Sequence, residues 1–128
     1  MMTNIHRTRS AFTLVEIMIV VAIIGLLAAL AVPGFVKARK QSQGRRIVND
    51  ARQLDAAIDQ WALEKGKSDG NAIVTSEAAS YLKMPWPATD VLGVNGYDVT
   101  GGVGSNQVKI ATATKTALAG VGIDWGNY

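Results

Sequence analysis

Residues 10–16 read Ser10-Ala11-Phe12-Thr13-Leu14-Val15-Glu16, and residues 17–32 continue as IMIVVAIIGLLAALAV without one polar side chain. With Phe35 and Val36 beyond it, the run approaches the ~20 apolar residues that carry a helix across a bilayer. A buried core helix is the alternative, but the rest of a 128-residue chain is too small to surround one. A secretory signal peptide is another, since Ala29 and Ala31 imitate its small-residue cleavage site. Glu16 argues against that reading, and so does the second helical segment that follows Pro33 and Gly34. A carboxylate near one end of a membrane span is costly unless a positive partner or interfacial water compensates it. Glu16 therefore marks either a solvated interface position or a meeting point with a cation.

Charge frames the apolar run. His6, Arg7 and Arg9 precede it, and Lys37, Arg39, Lys40, Arg45 and Arg46 follow. From Ser68 onward the acids Asp69, Glu77, Asp90, Asp98 and Asp124 outnumber the bases Lys83, Lys109 and Lys115. The net charge of +3 is thus concentrated at the edges of the apolar segment, where anionic head groups and membrane lipid would meet it. The basic cluster lacks interleaved aromatics, so no nucleic-acid partner is expected. Counting bases places the downstream side in the cytoplasm, five against two. The chain has no cysteine, which excludes disulfides, a thiol nucleophile and thiolate metal sites. Its single histidine, His6, stands in the leader. No nucleophile–base constellation can be assembled, and an enzyme is not expected.

Within the apolar run, Gly25 and Ala29 form a small-xxx-small pair, with Ala22 nearly in line; such faces permit close helix approach in lipid. Pro33 removes an intrahelical hydrogen bond and predicts a kink. Beyond it, Ile47, Ala51, Leu54, Ile58 and Trp61 recur at helical spacing as one apolar stripe, while Asp50, Arg52, Asp55 and Asp59 fall away from it. Gly66 supplies a helix stop, and Gly44 is a weak point at the lower edge of the head. One helix from Phe12 to about Lys65 is predicted. Thr75 or Ser76 is expected to cap a short helix through Leu82. Pro85-Trp86-Pro87 bars helix. Tyr97–Val99 and Gln107–Thr112 read as strands joined through Gly101, Gly102 and Gly104, with a weaker third strand at Ala117–Ile123.

The string Ser10 to Glu16, after a short basic leader and before a long apolar run, resembles the processing site of type IV pilins and type II secretion pseudopilins. The resemblance implies cleavage by a prepilin peptidase between Ala11 and Phe12 and N-methylation of Phe12. It also implies an assembly role for Glu16, through pairing with the N-terminal amine of Phe12 in a neighbouring subunit. The family normally has Gly before the cut, where this chain has Ala11, the smallest alternative. Gly25 and Pro33 match positions where the family has Gly and Pro. Asp90, Gly93 and Tyr97 match in order a worn form of the Asp-Pro-Trp-Gly-x-Pro-Tyr stretch of major pseudopilins, although its Pro and Trp are missing. Relatives of that branch can bind calcium in the head. Asp90, Asp98 and Asp124 are candidate oxygen ligands, but their spacing defines no calcium loop, and no metal or other cofactor is assigned.

The expected fold class is α+β: a long N-terminal helix, transmembrane in its first half and kinked near Pro33, with a small antiparallel sheet packed on its second half, as in pilins. The expected divisions are a basic leader (1–11), a transmembrane and assembly helix (12–36), an amphipathic helix entering the head (37–66) and a β-rich head (67–128). By resemblance, the chain is a structural subunit of a type II secretion pseudopilus or pilus-like filament. Its partners are then copies of itself, related pilin-like subunits, prepilin peptidase and an inner-membrane assembly platform. The motor ATPase is separate, since the chain has no G-x-x-x-x-G-K loop. The resemblance places the leader inside and the head outside the inner membrane, against the charge count. The alternatives are a surface or DNA-uptake type IV pilin and a single-span membrane adaptor or sensor.

Overall fold

The computed structural model describes residues 10–104 and 106–128; leader residues 1–9, with His6, Arg7 and Arg9, lie outside them. The longest element is α1, Leu14–Glu64, which contains Pro33 and remains helical on both sides of it. Contacts divide the chain into two units, one ending at Val36 and the other running from Lys37 to Tyr128.

In the first unit, every described side chain from Ser10 to Val36 is exposed. The apolar window of α1 has a mean hydropathy of 2.9, and 0% of it is buried. A core helix would have found neighbours, so that alternative is set aside. A helix satisfies its own backbone groups, which is what lets such a segment sit in hydrocarbon.

The second unit is built on the predicted stripe. Ile47, Ala51, Leu54, Ile58 and Trp61 are each 0% exposed, and Val48, Ala57 and Ala62 widen the buried face. Ala78, Tyr97, Val103, Val108, Ile110 and Leu118 complete one core with them. The helix ends as Gly66 predicted. Gly66 adopts φ +60°, the Lys67 N–H reaches the Ala62 carbonyl at 2.8 Å and the Gly66 N–H reaches that of Leu63 at 3.4 Å. This paired closure satisfies carbonyls that the last turn leaves open.

The remainder corrects several expectations. Residues Thr75–Ala78 form α2, followed by a 3₁₀ turn at Ala79–Tyr81. Neither Thr75 nor Ser76 caps α2; Val74 holds that position without a side-chain bond. The Glu77 carboxylate instead accepts the Trp61 indole N–H at 2.8 Å, tying α2 to α1. Pro85-Trp86-Pro87 is free of helix, as expected. The sheet is minimal: β1, Tyr97–Asp98, pairs antiparallel with β2, Lys109–Ile110, with Tyr97 opposite Ile110. The strand predicted through Thr112 stops early, because Thr112–Ala117 is a helix, α3. No third strand forms at Ala117–Ile123; Gly120 and Gly122 take φ +81° and +68°, which break an extended run.

Gly44 is not a weak point. It is buried, and a Cβ there would meet the Ile123 Cγ1 at 2.8 Å, so the missing side chain seats the C-terminal segment against α1. Polar bonds join the same partners. Gln41 donates to the Val121 carbonyl at 2.9 Å. Buried Gln107 donates to the Asp55 carbonyl at 3.2 Å and the Asp59 carboxylate at 2.7 Å, and accepts the Gly104 N–H at 3.1 Å. The Tyr97 hydroxyl donates to Asp50 at 3.2 Å.

Two outcomes are expected. Trp61→Ala removes the largest fully buried side chain and orphans Glu77, so the chain in detergent should lose about 3–5 kcal/mol of stability in denaturant titrations; a loss under ~1 kcal/mol would mean that the head does not rest on this residue. Burial, helped by the Asp50 charge and its hydrogen bond, pushes the Tyr97 hydroxyl well above the ordinary tyrosine value of 10.0. A proton held more tightly when folded gives stability that is intact below the unfolded value and lost as pH rises above it. Head stability should therefore fall above about pH 10, and Tyr97→Phe should flatten that fall when melting is followed across pH 9–12.

Candidate functional site

The predicted processing and assembly residues lie together at the start of α1. Ser10, Ala11 and Phe12 precede the helix without regular structure, and all three are exposed. The Ala11–Phe12 peptide bond therefore lies outside the helix, in exposed chain. Phe12 is 85% exposed.

Thr13 and Glu16 form a reciprocal cap. The Thr13 hydroxyl accepts the Glu16 N–H at 3.2 Å, and the Glu16 Oε2 accepts the Thr13 N–H at 2.8 Å. Two backbone donors at the helix start, which have no intrahelical partner, are thereby satisfied by side chains. Glu16 also sits in the first turn, where the helix dipole favours negative charge. Besides the water or cation expected for this acid, the chain itself therefore supplies a partner. The Thr-x-x-Glu spacing ahead of an apolar run was the available signal for the local partner.

Further along, an ideal Cβ on Gly25 would find nothing within 4 Å, and Ala22 and Ala29 are exposed as well. The small-residue face thus touches nothing in the isolated chain. Pro33 is likewise exposed within α1.

Two of the head acids, Asp90 and Asp124, accept hydrogen bonds from the chain itself. Asp90 is 7% exposed. Its Oδ1 accepts the N–H groups of Leu92 at 2.8 Å and Val94 at 3.2 Å, and its Oδ2 accepts the Thr114 hydroxyl at 2.7 Å. The Asp90 N–H bonds the Val94 carbonyl at 2.7 Å, which closes a turn around the side chain. Gly96 lies so close that a Cβ would stand 2.7 Å from the Asp90 Cβ and Cγ. Asp124 accepts the Gly126 N–H, and Asp98 is exposed on β1. Among the described residues, no group of three or more His, Cys, Asp or Glu side chains converges. Asp90 organises the Asp90–Tyr97 stretch, and Thr114, its partner, was not recognisable from the sequence.

The geometry agrees with what comparison finds. Residues 6–32 match the family model described as the prokaryotic N-terminal methylation motif. The chain is 35% identical over 88 residues to the type IV major fimbrial protein FimA of Dichelobacter nodosus, covering 69% of this chain and 48% of that protein. It is 34% identical over 61 residues to the type II secretion system core protein G of Aeromonas hydrophila, covering 48% and 43% respectively. A fimbrial protein of Pseudomonas aeruginosa is 40% identical over 70 residues, covering 55% and 42%. The chain thus spans less than half the length of these relatives. No solved structure gives a significant match. The capped apolar helix thus carries the prokaryotic N-terminal methylation motif, and the chain is similar over part of its length to type IV fimbrial proteins and to a type II secretion core protein.

Proposed function

We propose that this chain is a non-enzymatic filament subunit of the pseudopilus or type IV pilus kind, held in the inner membrane by residues 14–36 before assembly. The observation that carries the reading is the motif at residues 10–16 standing in exposed, non-helical chain at the capped start of a wholly exposed apolar helix. Prepilin peptidase cuts between Ala11 and Phe12 on the cytoplasmic face, and Phe12 is then methylated. The head lies outside the cytoplasm. Glu16 keeps its second role in the filament, where the amine of a neighbour's Phe12 competes with, or adds to, the Thr13 N–H on its carboxylate. Two charges that have each lost hydration attract strongly only in correct geometry, so the pair sets axial register more than it adds stability. Ala22, Gly25 and Ala29 allow neighbouring helices to approach closely, and Pro33 gives the helix local freedom. Apolar side chains taken out of lipid are covered again by other helices. An assembly of one surface on a different one stays open and grows; a platform and a separate ATPase drive it.

A secretion pseudopilus is the first reading, supported by the Asp90–Tyr97 stretch and by likeness to core protein G of the type II secretion system. A surface or uptake pilin is the second, favoured by likeness to FimA. Filaments confined to the periplasm support the former, and filaments shorn from intact cells support the latter.

The intact mass and N-terminal sequence of the protein from membranes test the processing. A chain starting at methylated Phe12 is expected; one retaining residues 1–11 in cells with active peptidase points to a single-span adaptor instead. For assembly, Glu16→Gln should keep the helix cap and membrane insertion yet reduce filament yield at least tenfold. Glu16→Ala should lose filaments equally and also about 1 kcal/mol at the helix start. Normal filament yield from either variant refutes the register role.

A further inference from the structure

The apolar segment is followed at once by cations with no acid among them before Asp50. Residues 17–49 contain no Asp or Glu, while Lys37, Arg39, Lys40, Arg45 and Arg46 fall within ten residues of Val36. Four of the five are exposed and Lys40 is half-buried. The acids of α1 further along are engaged by neutral donors of the head: Asp50 by Tyr97, Asp59 by Gln107, Glu64 by Tyr81 and Asp55 by Tyr128.

The angular arrangement of these bases identifies what they meet. At about 100° per residue, Lys37, Arg39, Lys40, Arg45 and Arg46 project at roughly 0°, 200°, 300°, 80° and 180°, leaving no gap wider than about 100°. A protein docking from one side needs a stripe. A ring of cations around a helix suits a plane of negative charge that surrounds it. Along the axis, residues 14–36 make a helix about 34 Å long, against a hydrocarbon core of ~30 Å. Lys37, Arg39 and Lys40 therefore follow where head groups begin. Arg45 and Arg46 lie about 12–14 Å further along the helix, beyond the ~8–10 Å screening length, so theirs is the weaker contribution.

We propose that Lys37, Arg39 and Lys40, reinforced by Arg45 and Arg46, form a collar that binds the head groups of anionic lipids on the outer face of the inner membrane. This rests on the reading of residues 14–36 as the membrane span. The collar holds the unassembled subunit at a fixed depth, and those contacts have to be surrendered when the subunit leaves the bilayer. It also accounts for bases on the side where a simple charge count does not expect them.

The test uses the full chain reconstituted in phosphatidylcholine vesicles carrying spin-labelled phosphatidylglycerol or spin-labelled phosphatidylcholine as probe. The motionally restricted fraction reads the relative association of each lipid with the protein. About fivefold preference for the anionic probe is expected at low salt, the equivalent of roughly 1 kcal/mol for one engaged base. It should fall towards unity in 0.5 M salt and in K37Q/R39Q/K40Q, and fall only partly in R45Q/R46Q. Equal association of the two probes with the native chain overturns the collar, as does a preference that survives the triple substitution. Circular dichroism confirms that each variant remains helical. Release of the native chain from vesicles by alkaline carbonate would instead sink the membrane-span reading on which the collar rests.

Discussion

The head depends on burial of one face of α1. Its sheet has two strands of two residues each, far short of what stands alone in water. Its other elements, α2 and α3, have four and six residues, too short to be stable as isolated helices. What orders them is the stripe from Ile47 to Trp61, which is wholly inaccessible to solvent. At ~25 cal/mol per Å² of apolar surface removed from water, that stripe is the main favourable contribution available to so small a head. The polar bonds then choose one arrangement among the ways of covering it. Trp61 to Glu77, Tyr97 to Asp50 and Gln107 to Asp55 and Asp59 each join α1 to a different part of the chain.

The same helix faces the opposite problem in its first half. From Leu14 to Val36 no side chain is covered, and the cost of that exposure is relieved only by lipid or by other helices. The Thr13–Glu16 cap explains how a carboxylate can begin such a segment. Glu16 completes the helix start within its own chain and still holds a formal charge that a second partner can use.

Asp90 illustrates how a short motif can carry structure. Both carboxylate oxygens are committed to donors within the head, and Gly96 leaves room for the side chain that a Cβ would block. Buried acids persist when hydrogen bonds replace their lost water. The turn they organise delivers Tyr97 to β1 and to Asp50.

The sequence by itself determined the features written in local order. These are the apolar run, the helix to about Lys65, the stop at Gly66, the stripe of Ile47 to Trp61 and the motif from Ser10 to Glu16. Each rests on periodicity, on glycine's freedom at positive φ or on a short spacing, and none needs distant residues. The capping box was equally local, readable from Thr13 and Glu16 alone. Tertiary structure decided the rest. Thr112–Ala117 alternates as a strand would, with Thr at 112, 114 and 116, yet it is helix, with Thr114 bonded to Asp90 and Leu118 in the core. Gly44 gained its meaning from Ile123, which lies far along the chain. Gln107 is polar in sequence yet buried, because three bonds from separate segments meet on it. Such roles depend on contacts between residues far apart in the chain, and only the folded core brings those residues together.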